Sequence, residues 1–365
     1  MSTMNVVSNP NPASKPYDVV VYIGRFQPLH MGHVETLVNA LEVTNNIMVF
    51  LGSANKPRTI KDPFTVDERA ELIRKTIPIE KNWSDKSFMQ DLSIVPLEDC
   101  LYDDNQWAAN VRTEVSNRWP FAKNIAIIGH SKDESSYYLK MFLGWTVIEV
   151  PNYKGIDATA IRKAFFSKQG DWSSIHKIIP GTTSSFLTKF QTEKKTEFDA
   201  LCKEYEFIEA YKQLWASSPY PPTFVTVDAV VFYCGHVLMV KRKAEPGKGL
   251  WALPGGFIGK NERIKDACIR ELYEETKLGL FPSELVSMYR SSDVFDSPNR
   301  SLRGRTITHA FNYSTILPLE RLGGKFPKVK GSDDAEVAKW FALSDILRMG
   351  HLIFEDHLDL IKAFL

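Results

Sequence analysis

Short apolar runs alternate with amphipathic segments along the first half of the chain. The run from Asp18 to Gly24 is rich in β-branched residues and ends in a glycine turn, which predicts a buried strand. From His33 to Thr44, apolar residues recur at the i, i+3, i+4 and i+7 spacing of an amphipathic helix. Similar patterns predict strands over 47–52, 93–97, 124–129 and 145–150, with helices over 65–76 and 105–119. This alternation predicts an α/β domain with a doubly wound parallel sheet up to about residue 180.

The pattern changes in the middle of the chain. From Phe186 to Trp215 it predicts one long amphipathic helix, with apolar residues on one face and Glu and Lys opposite. The segment Ser217–Pro222 (SSPYPP) cannot continue a helix, because proline lacks the N–H group that a helix needs. Two strands follow, Thr223–Tyr233 and His236–Lys241, joined by a Cys-Gly turn and succeeded by a charged helix and further strand-like runs. The second half is therefore predicted to be an α+β domain with a mixed sheet.

The 365 residues suffice for about two domains, each with its own core. We predict a loose N-terminal tail over residues 1–17 and a first domain over 18–185. A linker helix and proline-rich break over 186–221 would then lead to a second domain over 222–365.

Composition and charge narrow the class of protein. Lys and Arg number 45 against 44 for Asp and Glu, so no bulk attraction to nucleic acid or to an anionic membrane is expected. No apolar stretch approaches the ~20 residues of a membrane span, and the N-terminus lacks the pattern of a secretory signal. The four cysteines form no CxxC pair, which disfavours a zinc site or a disulfide framework. We expect a cytoplasmic protein with no nucleic-acid or membrane partner. A homo-oligomer is compatible with this composition.

Candidate chemistry lies in the turn after the first predicted strand. This turn, Gly24-Arg25-Phe26-Gln27-Pro28-Leu29-His30-Met31-Gly32-His33, opens the next helix. Backbone N–H groups and the helix dipole favour an anion at such a place. His30 and His33 could both reach a phosphate there, and Arg25 adds a fixed cation. The alternative is that the histidine pair caps the helix or lies on the surface.

A second element, Gly155 to Arg162 (GIDATAIR), also opens a helix after a predicted strand. Thr159 could donate to a phosphate oxygen, and Arg162 could clamp the same phosphates. Alternatively, Thr159 is an ordinary cap and Arg162 a solvated helix residue. The two elements together resemble the HxGH nucleotidyltransferase superfamily, whose second motif reads close to ISxTxxR. Asp157 stands where many members of that superfamily carry Ser.

Other segments narrow this resemblance to the archaeal-type nicotinamide mononucleotide (NMN) adenylyltransferases, over about residues 18 to 180. The segments are Gly24–His33, Ser53–Arg69, Asn105 with Trp107, and Gly129–Leu139. The resemblance implies a Rossmann-like domain that joins NMN to the AMP part of ATP, giving NAD and pyrophosphate. Such an in-line attack needs positioning and charge neutralisation rather than a protein nucleophile.

The resemblance also implies roles for individual residues. Catalysis would rest on His30, His33 and Arg162. Trp107 would stack on the nicotinamide ring, or else be a partly buried helix aromatic, and Arg69 would be either a phosphate ligand or a helix-face charge. The implied ATP- and NMN-binding residues are Gly24, Arg25, Phe26, His30, Gly32, His33, Arg69, Trp107, Gly129, Thr159 and Arg162.

A carboxylate-rich segment, Gly256–Leu278, marks the second half. Glu271, Glu274 and Glu275 lie at i, i+3 and i+4, hence on one helix face. Three carboxylates crowded there repel one another unless a divalent cation lies among them, and oxygen ligands select Mg²⁺ or Mn²⁺. The alternative is a solvated face whose charges pair with neighbouring basic residues.

This segment resembles the Nudix box G-x5-E-x7-REUxEExGU, where U is aliphatic, and departs from it only at Lys277, which replaces a glycine. The resemblance implies a Nudix hydrolase with Glu271 and Glu275 as catalytic residues, and with Glu271, Glu274 and Glu275 as metal ligands. Glu262 and Arg270 would form a structural ion pair. The general base could come from Asp333, Asp334 or Glu336, and the sequence does not choose among them.

In their order, the two sets of motifs resemble the bifunctional NMN adenylyltransferase/Nudix hydrolases, whose second domain is usually an ADP-ribose pyrophosphatase. The resemblance implies ATP, NMN and ADP-ribose as small-molecule partners, AMP and ribose 5-phosphate as hydrolysis products, and Mg²⁺, or Mn²⁺, as the cofactor. Two alternatives stay open. The first domain could adenylylate another phosphorylated substrate, or the Nudix domain could be a non-catalytic sensor of a ligand.

Overall fold

The computed structural model describes residues 15–80, 92–130, 134–167, 170, 172–315 and 324–365, so most of the predicted tail over residues 1–17 lies outside the described residues. The first part of the chain contains, in order, β1 (Val19–Gly24), α1 (Met31–Val43), β2 (Ile47–Leu51), α2 (Val66–Glu80), β3 (Leu92–Pro96), α3 (Asp104–Arg118), β4 (Ile125–Gly129), a 3₁₀ helix (Glu134–Lys140), β5 (Thr146–Glu149), α4 (Ala158–Phe166), α5 (Trp172–Ile175), α6 (Gly181–Glu193) and α7 (Lys195–Gln213). Among the helices so described, none is both long and apolar enough to cross a membrane.

The second part contains β6 (Thr223–Tyr233), β7 (His236–Arg242), β8 (Trp251–Ala252), β9 (Gly255–Phe257), α8 (Ile264–Thr276), α9 (Pro282–Met288), β10 (Tyr289–Phe295), β11 (Arg305–Thr315), β12 (Ala335–Ala342), α10 (Leu343–Ile346), a 3₁₀ turn (Gly350–Leu352) and α11 (His357–Ala363).

The described strands of the first part form a parallel sheet in the order β3-β2-β1-β4-β5. Separate apolar cores cover its two faces, one around Val20 and Leu37 and the other around Val21 and Val111. This arrangement confirms the predicted doubly wound sheet. Its strand order reverses between β1 and β4, and the crevice beyond their carboxyl ends is where such sheets bind ligands.

The single helix predicted from Phe186 to Trp215 is wrong. The chain forms α6 and α7, and Lys194 between them leaves the helical conformation at φ −114° and ψ 44°. The apolar faces of both helices pack in one core with Phe64 and Phe165 of the first part. Because both helices face the same core, their apolar spacing did not reveal the break. Of the segment predicted as a linker, the part from Phe186 to Tyr205 therefore packs in a core with the first part of the chain.

The second sheet is mixed, as predicted. Its described strands follow the order β10-β11-β6-β7-β12, with β8 beside β7 and β9 beside β6. Strands β6 and β11 run parallel and the other pairs antiparallel. Cys234 and Gly235 make the tight β6–β7 turn, both with positive φ. Helix α8 packs on one face through Ala267 and Leu272, which places its carboxylate face beside β9.

Candidate active sites

The histidine pair lies where the turn after β1 becomes α1. His30 is the N-cap of this helix, and the His33 ring stacks on the His30 ring with centroids 3.6 Å apart. Gly32 permits this arrangement, because a Cβ there would lie 3.2 Å from two atoms of the His30 ring. The glycine of the motif therefore makes room for an imidazole beside the helix start.

His33 is held in one tautomer by the backbone. Its Nδ1 accepts a hydrogen bond from the His30 N–H at 3.3 Å, so the ring proton resides on Nε2. Burial, together with His30 and Arg25 nearby, lowers the pKa of His33 well below its usual value. The ring is therefore neutral near pH 7 and presents one N–H donor.

Arg162, on α4, reaches the same turn from the other side of the crevice. It donates to the carbonyl of Gln27 at 2.8 Å and to the Thr159 hydroxyl at 3.2 Å. Its Nε is buried and has no hydrogen-bond partner within the described residues. Burial lowers the pKa of Arg162 to about 10, so the guanidinium still carries its charge at neutral pH. An unpaired cationic donor of this kind fits an anionic ligand.

These groups line a cavity of about 310 Å³ at the point where the strand order reverses. The predicted residues along it are Gly24, Arg25, Phe26, His30, Gly32, His33 and Arg162. Sequence reasoning missed Gln27, His130, Tyr138 and Tyr153, which also line it. His130 and Tyr138 lie in the segment Gly129–Leu139, which contributed to the family resemblance but was given no role for these two side chains, and Tyr153 follows β5.

Three predicted binding residues lie beside this cavity rather than along it. Thr159 is held by Arg162, and its N–H donates to the N-cap Asp157 at 2.8 Å. Gly129 packs tightly, since a Cβ there would lie 2.9 Å from Leu139 Cδ2. Trp107 is half-buried against Tyr138 and Phe142 and lines a neighbouring cavity.

The prediction of Arg69 as a phosphate ligand needs correction. Its side chain is buried and donates to the carbonyls of Arg25 and Gly52, both at 2.7 Å, and of Thr65 at 3.2 Å. It does not line the cavity. With its donors taken by backbone carbonyls, Arg69 ties together the ends of β1 and β2. It is also not the exposed helix charge of the alternative.

In the second part, the backbone of β9 holds two carboxylates of α8. The Gly255 N–H donates to Glu275 Oε2 at 3.0 Å. The Glu271 carboxylate lies against Gly256, where a Cβ would be 2.7 Å from its Cδ and 2.8 Å from both oxygens. Glu271 and Glu275 therefore face the same crevice, because Gly255 donates to one carboxylate and Gly256 leaves room for the other.

A network around Arg270 orders the Nudix-like segment. Arg270 donates to both oxygens of Glu262, at 2.7 and 2.9 Å, which confirms the predicted ion pair. Its Nη1 also donates to Glu271 and to Glu274, each at 2.8 Å. Glu274 lies outside the cavity lining, and within the described residues no three metal-binding side chains are already clustered.

Glu271 and Glu275 line a cavity of about 340 Å³. Burial raises the pKa of Glu275 to about 8, against the Gly255 hydrogen bond, and nearby Glu271 raises it further. A divalent cation would offset this repulsion, so the donor set fits one. Of the candidate bases, Asp333 and Asp334 line the cavity, whereas Glu336 pairs with Lys241 at 3.4 Å.

Several residues that line this cavity were not predicted from the sequence. They are Asp228 on β6, Arg242 on β7, Arg300 and Arg303 in the β10–β11 loop, and Glu355 and His357 near α11. They come from four separate elements, so no spacing along the chain connects them. Three of them are arginines, which bring positive charge to a crevice that otherwise carries carboxylates.

Comparison with known proteins agrees with this arrangement. A family model described as cytidylyltransferase-like matches residues 21–164, and a model of the NUDIX domain matches residues 222–363. A nicotinamide/nicotinic acid mononucleotide adenylyltransferase of Acinetobacter baylyi is 35% identical over 48% of this chain and 87% of its own length. An ADP-ribose pyrophosphatase of Methanocaldococcus jannaschii is 35% identical over 39% of this chain and 72% of its own length.

A solved structure spans both halves. The bifunctional NMN adenylyltransferase/ADP-ribose pyrophosphatase of Francisella tularensis has a TM-score of 0.84 and 38% identity, covering 95% of this chain and 98% of the other. The chain belongs to this bifunctional family. It is therefore an enzyme of NAD metabolism with a nucleotidyltransferase domain followed by a Nudix hydrolase domain, as the motifs predicted. The Francisella protein was also solved with AMP and a manganese ion.

Proposed function

We propose that the first domain transfers the adenylyl group of ATP to NMN, giving NAD and pyrophosphate. The observation that carries this proposal is the meeting of His33 and Arg162 in one crevice, each with a donor available to a phosphate. An oxygen of the NMN phosphate attacks the α-phosphorus as its bond to the pyrophosphate oxygen breaks. The protein's part is to align the two phosphates and to stabilise the charge that develops between them.

The roles follow from the contacts. Neutral His33 donates through Nε2 without the desolvation cost of a buried cation, and His30 supports its ring by stacking. Arg162 supplies buried positive charge from α4, and Arg25, whose side chain is 43% exposed, supplies a second, more solvated charge. Magnesium bound to the phosphates of ATP would neutralise part of their charge.

Replacing His33 by Ala tests this assignment. Loss of one donor aimed at the transition state lowers turnover by ~10²–10³. NAD formation from ATP and NMN is measured at saturating substrate, with His351→Ala, a change at an exposed histidine of the second domain, as the control. A His33→Ala rate within a few-fold of the parent would refute the role of His33.

We further propose that the second domain hydrolyses ADP-ribose to AMP and ribose 5-phosphate, with Mg²⁺ or Mn²⁺ as its cofactor. Support comes from Glu271 and Glu275 in a crevice that also holds Arg242, Arg300 and Arg303. The carboxylates suit a hard cation, and the arginines suit the phosphates of a diphosphate ester. A cation bound by Glu271 and Glu275 would neutralise the diphosphate and favour ionisation of the attacking water. Glu274 as a third ligand stays a prediction, as do a cytoplasmic location and self-association.

Glu275→Gln tests this second proposal. The amide keeps the shape but removes the charge that a hard cation requires, so most ADP-ribose hydrolysis should disappear and added Mg²⁺ should restore only part of it. Both activities are measured on one preparation, with Asp266→Asn on the exposed side of α8 as the control. NAD synthesis should be unchanged. Full retention of hydrolysis would make the carboxylate face structural.

A further inference from the structure

A third cavity, of about 750 Å³, lies between the two domains. On the first-domain side its lining includes the aromatic residues Tyr102, Trp107, Tyr137 and Tyr138, beside the carboxylates Asp99 and Asp104. The opposite side is the segment Asp296–Asn299, in the loop that joins β10 to β11 of the Nudix domain. One domain therefore supplies the aromatic side of this cavity and the other supplies its facing wall.

This cavity adjoins the phosphate crevice. Tyr138 lines both of them, and its hydroxyl lies 3.4 Å from the carbonyl of Ile23, one residue before the end of β1. A substrate whose phosphate contacts His33 and Arg162 can thus extend past Tyr138 into the aromatic space. Flat aromatic side chains favour a heteroaromatic ring there, through stacking and edge contacts.

The facing wall is held by an ion pair within the Nudix domain and by contacts of Tyr102 across the domain boundary. Arg300, directly after the segment, donates to both oxygens of Asp356 at 2.8 Å. Tyr102 of the first domain donates to Asp356 Oδ2 at 2.6 Å and packs edge-on against Phe295, with centroids 5.0 Å apart. A loop held at both ends in this way is preorganised, so it loses little conformational freedom when a ligand binds against it.

We propose that Asp296–Asn299 of the Nudix domain forms one wall of the subsite that holds the acceptor's heteroaromatic ring during nucleotidyl transfer. The proposal rests on the proposed activity of the first domain. It makes the β10–β11 loop bifunctional, because Arg300 and Arg303 of the same loop line the hydrolase cavity. The two activities therefore share a structural element although their reacting centres lie in different domains.

Substituting Ser297 by Trp in the full-length chain tests whether the segment Asp296–Asn299 contacts the acceptor ring. An indole there would occupy space that the acceptor ring needs, so the KM for NMN should rise by about tenfold or more, with the KM for ATP unchanged. Ser283→Trp, which makes the same change at an exposed position of α9, is the matched control. ADP-ribose hydrolysis by both variants reports whether the Nudix domain is intact.

A second variant keeps the proposal testable if Ser297→Trp misfolds. Asn299→Ala only shortens a side chain of the wall and should raise the KM for NMN while leaving the KM for ATP unchanged. If Ser297→Trp loses hydrolysis as well, Asn299→Ala decides the question. A KM for NMN within about twofold of the parent, in whichever variant retains hydrolysis, overturns the proposal. If the parent itself makes no NAD from ATP and NMN, the proposed activity fails instead, so the two failures are distinguishable.

Discussion

At the scale of single residues, the two buried arginines of the first domain differ in their hydrogen-bond partners, and this difference separates their roles. Arg69 donates to backbone carbonyls at the ends of two strands, whereas Arg162 keeps a buried donor without a partner in the described part of the chain. The sequence offered a phosphate-ligand role for both, with a charge on the helix surface as the alternative in each case. Only the tertiary contacts separate the arginine that stabilises the scaffold from the one that keeps a donor for the proposed ligand.

Lys277 is another residue whose conformation matters. It ends α8 in the left-handed region, at φ 45° and ψ 42°, where the Nudix box has glycine. The helix exit is thus preserved in spite of the substitution, with a side chain in a conformation that costs ~1–2 kcal/mol.

Lys277→Gly should therefore raise the free energy of unfolding, by about 0.5–1 kcal/mol after the extra chain entropy of glycine is subtracted. Urea unfolding measures the change. Lys277→Ala is the matched control, since it removes the lysine but keeps the Cβ and should give no such gain. Equal stabilisation by both variants would show that the lysine side chain, and not the backbone, is the cause.

At the scale of elements, helix α8 and strand β9 form the hydrolase site together. The helix sets the spacing of the carboxylates, and β9 determines how close they come to the backbone. The box pattern predicted the helix and its carboxylate face. It did not predict that Gly256 accommodates the Glu271 carboxylate, because that contact joins two elements.

Gly256→Ala tests the contribution of β9. A Cβ at 2.7 Å from Glu271 Cδ cannot be accommodated without moving the carboxylate, so ADP-ribose hydrolysis should fall by about tenfold or more. NAD synthesis should persist at the parent rate. Gly181→Ala, where a Cβ would meet no atom within 4 Å, is the matched control. Unchanged hydrolysis would show that Glu271 can shift without loss of function.

At the scale of the whole molecule, Glu204 on α7 joins parts of both domains. It accepts a hydrogen bond from Ile60 N at 2.9 Å, and the Gly247 backbone N–H of the Nudix domain also donates to it. Burial nevertheless raises the pKa of Glu204 from 4.5 to about 7. We propose that the domain boundary follows α7, since this helix packs in the first core through Phe198 and Leu201 and meets β6 of the second domain through Tyr211, which lies edge-on to Phe224.

The raised pKa of Glu204 predicts a pH dependence of stability. Between about pH 4.5 and pH 7 the folded chain binds this proton more tightly than the unfolded chain, so the free energy of unfolding falls as the pH rises through that window. Glu204→Gln removes the titrating group and should reduce the difference in stability between about pH 5 and pH 8. Urea unfolding at both pH values measures it, with exposed Glu206→Gln as the control. An unchanged difference would contradict the assignment.

Features that depend on spacing within one element could be predicted from the sequence. These include the alternation of strands and helices, the histidine turn before α1 and the carboxylate face of α8, since local periodicity decides which side chains share a face. Features that join distant segments became visible only in the folded chain. They include the break at Lys194, the burial of Arg69, the arginines opposite Glu275 and the Nudix loop beside Trp107. The physical reason is that these contacts depend on how elements and domains pack, which the pattern along one element does not encode.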